Sequence, residues 1–468
     1  MVFAHTLLAR RLLVRPNSVT AAFRVTASSH ELVPSLVHLR RFSRSPNSNS
    51  QKPAAHAPST DIFASVHSTI PQFDEIQIPD ESSTDNLSES APTSVLSLTP
   101  SNVLPPFEVL DHMQKTNRIQ ISPKDAYFVL SMIQYTWKAL LEDQTKSAER
   151  GLIDRILKMC TIKDLTELGT MAFEHSAPGK PLGFKILEMC KNEGNLDAEF
   201  KYAHILSQGF EGQKRNQTGA IDILESLVAK KHPISTYVLA VRQIKFATSA
   251  AETANKTDAQ TDKQMVDVPL LTKGLRNLHT SASELNFPQA QMQMGHLYLY
   301  GGLGVPKDAG KAYGFLEKAG NHGITEAMFL CGVCCEKGLG VEAADMAKAG
   351  EWWQKAANKG LAIAQHNLAS LYFAASESPT SPYQKSMPLA IEYFEMAAMQ
   401  GLPLSLINLA KLYKEGYTPL KGEPRSWAIA VDLKKAEGYA ERVSELEGEW
   451  GELGKELLEQ IKKEGMGN

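Results

Sequence analysis

From Pro123 to the C terminus, apolar residues recur three and four positions apart, with few β-branched runs and with Gly or Pro at intervals. This period is that of amphipathic α-helices. The preceding residues 43–106 are rich in Ser, Pro, Asn and Thr and show no apolar period. The pattern predicts an all-α protein that follows a disordered N-terminal leader. We assign residues 43–122 to a disordered Ser/Pro-rich linker.

The helical region contains internal repeats. Three copies begin at Ala290, Ala327 and Ala364, which gives a repeat length of 37 residues, and a fourth begins at Ser405. Weaker copies precede them, with starts near Asp164, Ala198 and Ser235. A repeat of this length is a pair of antiparallel helices that cannot bury its apolar face alone. The repeats therefore predict an α-solenoid of about seven to eight antiparallel helix pairs.

The repeats also set the division of the chain. A small residue in each first helix lets the second helix approach closely, and these residues are Gly295, Gly332, Ala369 and Ala410. We assign residues 123–286 to degenerate helical repeats with a polar loop insertion at 247–266. Residues 287–445 form the clear repeats, and residues 446–468 form a capping helix and tail.

The best-preserved copy, from Ala327 to Gly360, resembles the Sel-1-like repeat, a relative of the tetratricopeptide repeat. It departs from the family pattern where Cys335 replaces a tyrosine, and it keeps Gly340, Val341, Asp345, Lys348, Ala349, Trp352, Lys355, Ala356 and Ala357. The resemblance is clear over 287–445 and weaker over 164–245. It implies an α-solenoid that serves as an adaptor or assembly scaffold, in a family without a common active site.

The first residues have the composition of a targeting signal. Residues 1–50 contain seven Arg, no Lys and one acidic residue among Ser, Thr, Ala and Leu. This composition is typical of a mitochondrial transit peptide, and the segment Arg40-Arg41-Phe42-Ser43 resembles a matrix processing site. We predict a transit peptide over 1–42 and a location in the mitochondrial matrix. No apolar run reaches the ~18 residues that a membrane-spanning helix needs, which leaves peripheral contact with the inner membrane open.

The charge of the chain argues against a nucleic-acid partner. The formal net charge is −3, and without residues 1–50 the chain has 42 basic and 51 acidic residues, a net charge of −9. A solenoid that binds RNA requires a basic surface for the phosphates. The repeats are therefore expected to bind protein.

The segment Cys331-Gly-Val-Cys334-Cys335 is the sharpest candidate for hidden chemistry, because Cys-x-x-Cys occurs in redox pairs and zinc sites. The repeat frame places these cysteines in the middle of a helix, and no further ligand pair follows at a useful spacing. Buried packing is the favoured interpretation. A bridge between Cys160 and Cys190, of the kind that some Sel-1-like proteins form in oxidising compartments, is not expected in a reducing matrix.

No catalytic or cofactor-binding motif emerges from the sequence. The glycine-rich segment from Gly301 to Lys311 is similar to a phosphate-binding loop. A helix rather than a strand precedes it, however, and Ala312 follows the lysine, so we interpret it as the turn between two helices. The sequence contains neither His-Glu-x-x-His nor Gly-x-Ser-x-Gly. We predict no enzyme activity, no cofactor and no metal ion.

In stacked helix pairs, the first helices usually line the concave wall to which partners bind. The outward positions of these helices predict a mixed apolar and polar wall that suits a peptide or a partner helix. These candidate partner-binding residues are Met292, His296, Leu299, Phe329, Val333, Glu336, His366, Phe373, Lys411 and Lys414.

Together these features predict a non-catalytic scaffold or adaptor that binds protein clients in mitochondria. The finer hypothesis is an assembly factor for the respiratory chain, for example in cytochrome c oxidase biogenesis. Two alternatives stay open. One is a mitochondrial RNA-binding protein, because pentatricopeptide arrays are also built from helix pairs. The other is an assembly factor that handles redox equivalents or metal ions through its cysteines.

Overall fold

The computed structural model describes residues 103–142, 146–254, 267–374, 383, 385–420 and 422–466. All regular elements in these ranges are helices, which confirms the all-α fold class. The chain divides after Phe287 into two compact units. The described residues 103–287 form the N-terminal unit, and the described residues 288–466 form the C-terminal unit. The predictions of a transit peptide over 1–42 and of a linker over 43–102 lie outside the described residues.

The N-terminal unit contains nine helices in its described residues. They are α1 (Phe107–Lys115), α2 (Pro123–Glu142), α3 (Lys146–Ile156), α4 (Ile162–His175), α5 (Lys180–Asn192), α6 (Leu196–Gln208), α7 (Gln217–Ala229), α8 (Pro233–Ala254) and α9 (Val268–Ser283). Helices α4/α5, α6/α7 and α8/α9 pack as pairs. Within this unit, α5 also packs against α6, and α7 packs against α8.

The C-terminal unit continues the same arrangement. Its helices are α10 (Pro288–Tyr300), α11 (Ala309–Asn321), α12 (Thr325–Lys337), α13 (Met346–Asn358), α14 (Ala362–Ala374), α15 (Met387–Met399), α16 (Pro403–Glu415), α17 (Leu433–Ser444) and α18 (Glu449–Met466). Helices α10/α11, α12/α13, α14/α15 and α16/α17 pack as pairs. With the three pairs of the N-terminal unit, the described residues hold seven pairs, which agrees with the predicted α-solenoid.

The sequence defines where these helices begin and end. Asp308 and Asp345, which are 37 residues apart, precede α11 and α13, and each side chain accepts a hydrogen bond from a backbone N–H of the first turn. Helix α10 ends at Tyr300, and the following Gly301 has a φ of 76°, in the left-handed region that favours glycine. A Cβ at Gly340 would collide with the carbonyl oxygen of Ala309 in the preceding pair. The residues that recur in the repeats are therefore residues that cap a helix or let two helices approach closely.

The small residues of the first helices lie where the sequence places them. A Cβ on Gly295 would lie 2.7 Å from Cγ of Leu316, and a Cβ on Gly332 would collide with the indole of Trp353. In both pairs the second helix fills the space that the missing side chain leaves. Close helix pairing thus depends on the absence of a side chain at these two positions.

The linker prediction is wrong for residues 103–122. This segment contains α1 and contributes Val103, Leu104, Leu110, Met113 and Ile119 to the first hydrophobic core, each at most 2% exposed. Two consecutive prolines before the helix and its length of nine residues hide its apolar period in the sequence. The segment forms part of the folded N-terminal unit.

The predicted loop insertion at 247–266 is also corrected. Helix α8 continues to Ala254, and Ala247 is fully buried, so the first part of this range is helical. Residues 255–266 lie outside the described residues. The sequence from Ala247 to Ala254 is rich in Ala, Ser and Thr, and its helical geometry follows from the continuation of α8 rather than from an apolar period.

Helix α18 ends the C-terminal unit. Its residues Leu457 and Ile461 are buried in a core shared with α16 and α17, whereas Glu452, Glu456 and Glu459 on its other face are exposed. A last helix with one apolar and one charged face is the cap that a stack of helix pairs requires. Among the described helices, none is both long enough and apolar enough to span a bilayer.

Candidate functional site

All ten predicted wall residues lie on the first helices α10, α12, α14 and α16 of the C-terminal unit. Three of them, Met292, His366 and Phe373, are buried and pack in the interior. The other seven are partly exposed. The repeat frame therefore places these residues on first helices, as predicted, but it overestimates how much of each helix faces solvent.

His366 is the clearest correction. It is 0% exposed, its Nδ1 lies 2.9 Å from Oγ of Ser405, and its ring meets the edge of Phe394 at 5.3 Å. Burial lowers the pKa of His366 to about 3, so the ring is neutral at physiological pH. Helix α14 packs against both α13 and α15, which leaves little of its surface open. His366 is a core residue.

The charged wall residues differ in their surroundings. Lys414 donates to Oε1 of Glu464 on α18 at 2.9 Å, and this ion pair joins the last wall helix to the cap. Lys411 is half-buried one turn earlier on the same helix. Glu336 on α12 is half-buried, and burial raises the pKa of its carboxyl group. Lys414 is thus engaged within the protein, whereas Lys411 and Glu336 remain candidates for a partner.

An apolar row crosses the first helices of the C-terminal unit. Buried Ile363 of α14 and Leu404 of α16 belong to one cluster, and Phe329 of α12 and Trp450 of α18 pack against it while they stay partly exposed. Sequence reasoning found Phe329 but missed Trp450, because Trp450 belongs to the cap and not to a repeat. Aromatic residues that are partly exposed beside a buried apolar cluster are typical anchors for a protein partner.

Polar residues that the sequence analysis missed lie beside the wall on α10. Gln289 and Gln293 are on the same face as His296, at spacings of four and seven residues. In the described structure, Oε1 of Gln289, Nε2 of Gln293 and Nδ1 of His296 are buried and have no hydrogen-bond partner. The ring of His296 lies 4.6 Å from that of Tyr300, and burial lowers its pKa to about 4. The sequence signal for this face was the absence of charge in α10, which carries no Asp, Glu, Lys or Arg.

The cysteines occupy the interior, as the packing interpretation predicts. Cys331, Cys334 and Cys335 are buried and free, and Sγ of Cys335 lies 3.9 Å from the hydroxyl of Tyr313. Burial raises the pKa of Cys334 to about 12, which opposes the thiolate that redox or metal chemistry needs. Cys190 is likewise free and buried, as is Cys160. Among the described residues, no three His, Cys, Asp or Glu side chains come together as a metal ion would require.

Three hydrogen-bonded side chains in the N-terminal unit are of the residue types found in a hydrolase triad. Nε2 of His232 lies 3.1 Å from Oδ1 of Asp197, and its Nδ1 lies 2.8 Å from Oγ of Ser235. Ser235 is completely buried, and its backbone N–H also donates to Nδ1 of His232. His232 directly precedes α8, so this arrangement caps the start of that helix and offers no surface to a substrate.

The glycine-rich segment between α10 and α11 is a turn, as its sequence indicates. Gly302 and Val305 exchange backbone hydrogen bonds of 3.2 and 2.8 Å, and Asp308 caps α11 through the N–H of Lys311 at 3.0 Å. Nζ of Lys311 pairs with Oδ2 of the same aspartate at 3.1 Å. The lysine is therefore part of the cap rather than a ligand for phosphate.

Comparisons with known proteins agree with this architecture. The family profile for the Sel1 repeat matches residues 196–229, 288–324, 325–361 and 362–402. Over 216 residues the chain is 28% identical to chitin synthase regulatory factor 3 of Schizosaccharomyces pombe, and the match covers 40% of this chain and 23% of that protein. The chain therefore corresponds to less than a quarter of this relative's length.

Two solved structures are also similar. A Sel1 repeat protein from Oxalobacter formigenes is 18% identical, with 62% of this chain and 99% of that chain covered and a TM-score of 0.42. A protective antigen of uropathogenic Escherichia coli with an SLR fold is 17% identical, with 76% and 79% covered and a TM-score of 0.41. Sel1-repeat proteins typically act as scaffolds for protein interaction. The four matched segments correspond to the pairs α6/α7, α10/α11, α12/α13 and α14/α15, so these four helix pairs are Sel1 repeats.

Proposed function

We propose that this protein is a non-catalytic adaptor that binds a protein partner on the first helices of its C-terminal unit. The observation that carries the proposal is the apolar row of Phe329, Ile363, Leu404 and Trp450. Its two aromatic members, Phe329 and Trp450, are partly exposed and pack against the cluster to which buried Ile363 and Leu404 belong. Protein interfaces obtain most of their binding free energy from a few such anchors.

The proposed location is the mitochondrial matrix, where the adaptor serves the assembly of the respiratory chain, for example of cytochrome c oxidase. This part rests on the arginine-rich composition of residues 1–42. An assembly factor would act beside the inner membrane, in peripheral contact with it. The relative from Schizosaccharomyces pombe is called a regulatory factor. This name fits an adaptor that acts on an enzyme and has no catalytic activity of its own.

Proximity labelling in intact mitochondria tests this function. The full chain fused to a labelling enzyme is compared with its Phe329→Asp variant, which places a charge in the apolar row. Met346→Asp is the matched control, because it adds the same charge to an exposed apolar residue at the start of the second helix α13. We expect subunits or assembly factors of the respiratory chain among the neighbours of the wild type and of Met346→Asp, and their loss from Phe329→Asp.

Two outcomes contradict the proposal. Neighbours that are the same for all three proteins show that the apolar row does not bind the partner. A cytosolic location, or neighbours confined to metabolic enzymes, removes the assembly role. Crosslinking that recovers organellar RNA from the chain would revive the RNA-binding alternative in its place.

A further inference from the structure

The end of α17, the turn that follows it and the first half of α18 form an acidic end of the C-terminal unit. From Glu441 to Glu456 the chain has six acidic and two basic residues, a net charge of −4, whereas residues 457–466 of α18 have two of each sign. A helix face with balanced charges is an ordinary solvated surface. A local excess of one sign attracts partners of the opposite sign.

The two basic residues of this segment are engaged within the protein. Nη2 of Arg442 donates to the carbonyl oxygen of Ala398 at 2.6 Å, near the end of α15, and Nζ of Lys455 pairs with Glu452 at 2.8 Å. The remaining acidic residues are exposed, and the described structure shows no ion pair for Glu441, Glu445, Glu447, Glu449 or Glu456. The negative charge of this end is therefore open to a partner.

Apolar side chains lie among these carboxylates. Leu453 of α18 is 40% exposed, and Glu449 and Glu456 stand four residues before it and three residues after it, so that the three share one face of the helix. Trp450, one turn before Leu453, is partly exposed and packs against two buried clusters. This face complements a helix that combines basic and apolar residues, because both its charge and its apolar side chains then find a counterpart.

We propose that this face of α18 binds a basic amphipathic helix of the partner. The apolar side chains of that helix pack on Trp450 and Leu453, and its Lys or Arg side chains pair with Glu449 and Glu456. The inference rests on the proposed function, because it names the class of partner that the adaptor binds. Helix α18 is the last described helix of the stack, so the partner helix takes the place of a further helix of the array.

The dimensions of the face suit a helix. From Glu449 to Glu456 it extends about 10 Å along the axis of α18, which is two turns of a helix packed alongside. Helices that pack side by side lie about 8–10 Å apart, a distance that Lys and Glu side chains bridge. In coiled coils, charged residues beside an apolar seam select the partner helix in the same way.

Fluorescence anisotropy with two matched peptides tests the inference on the full chain. The probe is a fluorescein-labelled amphipathic helix of Leu, Ala and Lys, and its counterpart has Gln at every Lys position. The decisive variant is Glu449→Gln with Glu456→Gln, and Leu453→Gln removes the apolar residue between them. The matched control is Glu342→Gln with Glu415→Gln, which removes the same charge from two exposed positions, in the turn after α12 and at the end of α16.

We expect the wild type and the control to bind the basic peptide equally, and the wild type to bind the Gln peptide at least about tenfold more weakly. The double variant should bind the basic peptide at least about threefold more weakly, since two exposed ion pairs are lost. Salt from 0.05 to 0.5 M should weaken binding to the wild type more than binding to the double variant. Leu453→Gln should weaken binding without changing the salt dependence. The thermal midpoint of every variant should change by less than about 2 °C, because the substituted residues are exposed.

Several results overturn the inference. Equal affinity of the double variant and the wild type does so, as does the absence of binding or equal binding of the two peptides. An equal loss in the control does so as well, because the peptide would then respond only to the net charge of the chain. A dimer that Leu453→Gln dissociates would assign the face to a second copy. Peptide binding that requires the removal of residues 1–42 would assign it to the arginine-rich segment of this chain.

The proposed function is tested separately by Phe329→Asp. Loss of the native neighbours in that variant, together with unchanged peptide binding by the double variant, leaves the adaptor and removes the basic helix. Peptide binding that depends on Glu449 and Glu456, together with unchanged neighbours in Phe329→Asp, leaves the acidic face of α18 and removes the apolar row as the site of the partner.

Discussion

The two units of this protein are built from the same kind of helix pair, but the polar residues of their first helices have different surroundings. In the N-terminal unit, Glu167 on α4 binds Arg118 at 2.8 Å and Lys201 of the neighbouring first helix α6 at 2.6 Å. In the C-terminal unit, Gln293 and His296 on α10 have buried polar atoms without a partner. The difference is between polar residues that join helices through ion pairs and polar residues whose buried atoms have no partner among the described residues.

Further ion pairs of the N-terminal unit also join separate helices. Lys230 pairs with Glu199 at 2.8 Å and Lys273 with Glu225 at 2.9 Å, and each pair joins different helices or their ends. Arg242, Gln134 and Gln217 are exceptions, since Nη1 of Arg242, Oε1 of Gln134 and Nε2 of Gln217 have no hydrogen-bond partner among the described residues. The guanidinium of Arg242 lies over the ring of Phe246 at 5.3 Å. Because partly exposed ion pairs contribute only about 0–1 kcal/mol each, each of them adds little to the stability of the unit.

The largest expected difference between the units is their response to acid. The C-terminal unit contains His296 and His366, whose pKa values burial lowers to about 4 and about 3, and the N-terminal unit contains His204, whose pKa burial lowers to about 4. A histidine whose folded pKa lies below its unfolded value of about 6.5 contributes stability above that pH. This stability is lost as the pH falls from 6.5 towards the folded pKa, because the unfolded chain binds the proton more tightly.

At pH 5 we expect His366 to cost the C-terminal unit roughly 2 kcal/mol relative to pH 7.5, and partly exposed His296 to add a smaller amount. Urea unfolding followed by tryptophan fluorescence measures this, because four of the five tryptophans lie in the C-terminal unit. The variant His366→Met with Ser405→Ala carries residues that other repeats have at these positions, and it should lose less stability between the two pH values. An unchanged pH dependence in this variant would show that His366 is not the titrating group.

The repeat frame explains how much of this could be read from the sequence. Gly332 and Asp345 recur at fixed offsets because one residue must leave space for a helix and the other must cap one, so the pairs and their order follow directly. The burial of His366 did not follow, because it depends on contacts of α14 with α13 and α15 on both sides. Gln293 was missed for a related reason: a glutamine is usually assigned to the surface, and its lack of a partner is visible only in three dimensions.

A middle-sized effect tests the ion pairs of the N-terminal unit. Glu167→Gln removes the charge that Arg118 and Lys201 share, and we expect a loss of about 1 kcal/mol in the free energy of unfolding. Glu174→Gln on the same helix is the control, since Glu174 is exposed and the described structure shows no ion pair for it. Ion pairing lowers the pKa of Glu167 against the effect of burial, so its contribution is present above the unfolded value of about 4.5 and is lost below it.

Hydrogen exchange of α4 and α6 at pH 7 and at pH 3.5 measures this effect locally. The wild type should lose protection at the lower pH, whereas Glu167→Gln should already show the reduced protection at pH 7. Equal exchange in Glu167→Gln and Glu174→Gln at pH 7 would mean that the ion pairs do not hold α4 to α6. Ion pairs between first helices would then no longer distinguish the N-terminal unit from the C-terminal unit.

The smallest expected effect tests why a polar residue of a first helix forms an ion pair. The reason is either the unit in which the residue lies or its charge. Lys414 on α16 is a charged residue of a C-terminal first helix, yet its Nζ pairs with Glu464 at 2.9 Å, as the charges of the N-terminal unit do with their partners. We expect Lys414→Met to lower stability by about 0.5 kcal/mol or less, because Glu464 is half exposed and water replaces the lost partner. Lys411→Met, which removes a half-buried lysine for which the described structure shows no ion pair, should leave stability unchanged and weaken only partner binding. If both substitutions weaken binding and neither affects stability, Lys414 also belongs to the binding surface, and charge alone does not distinguish the residues that hold this fold from those that face a partner.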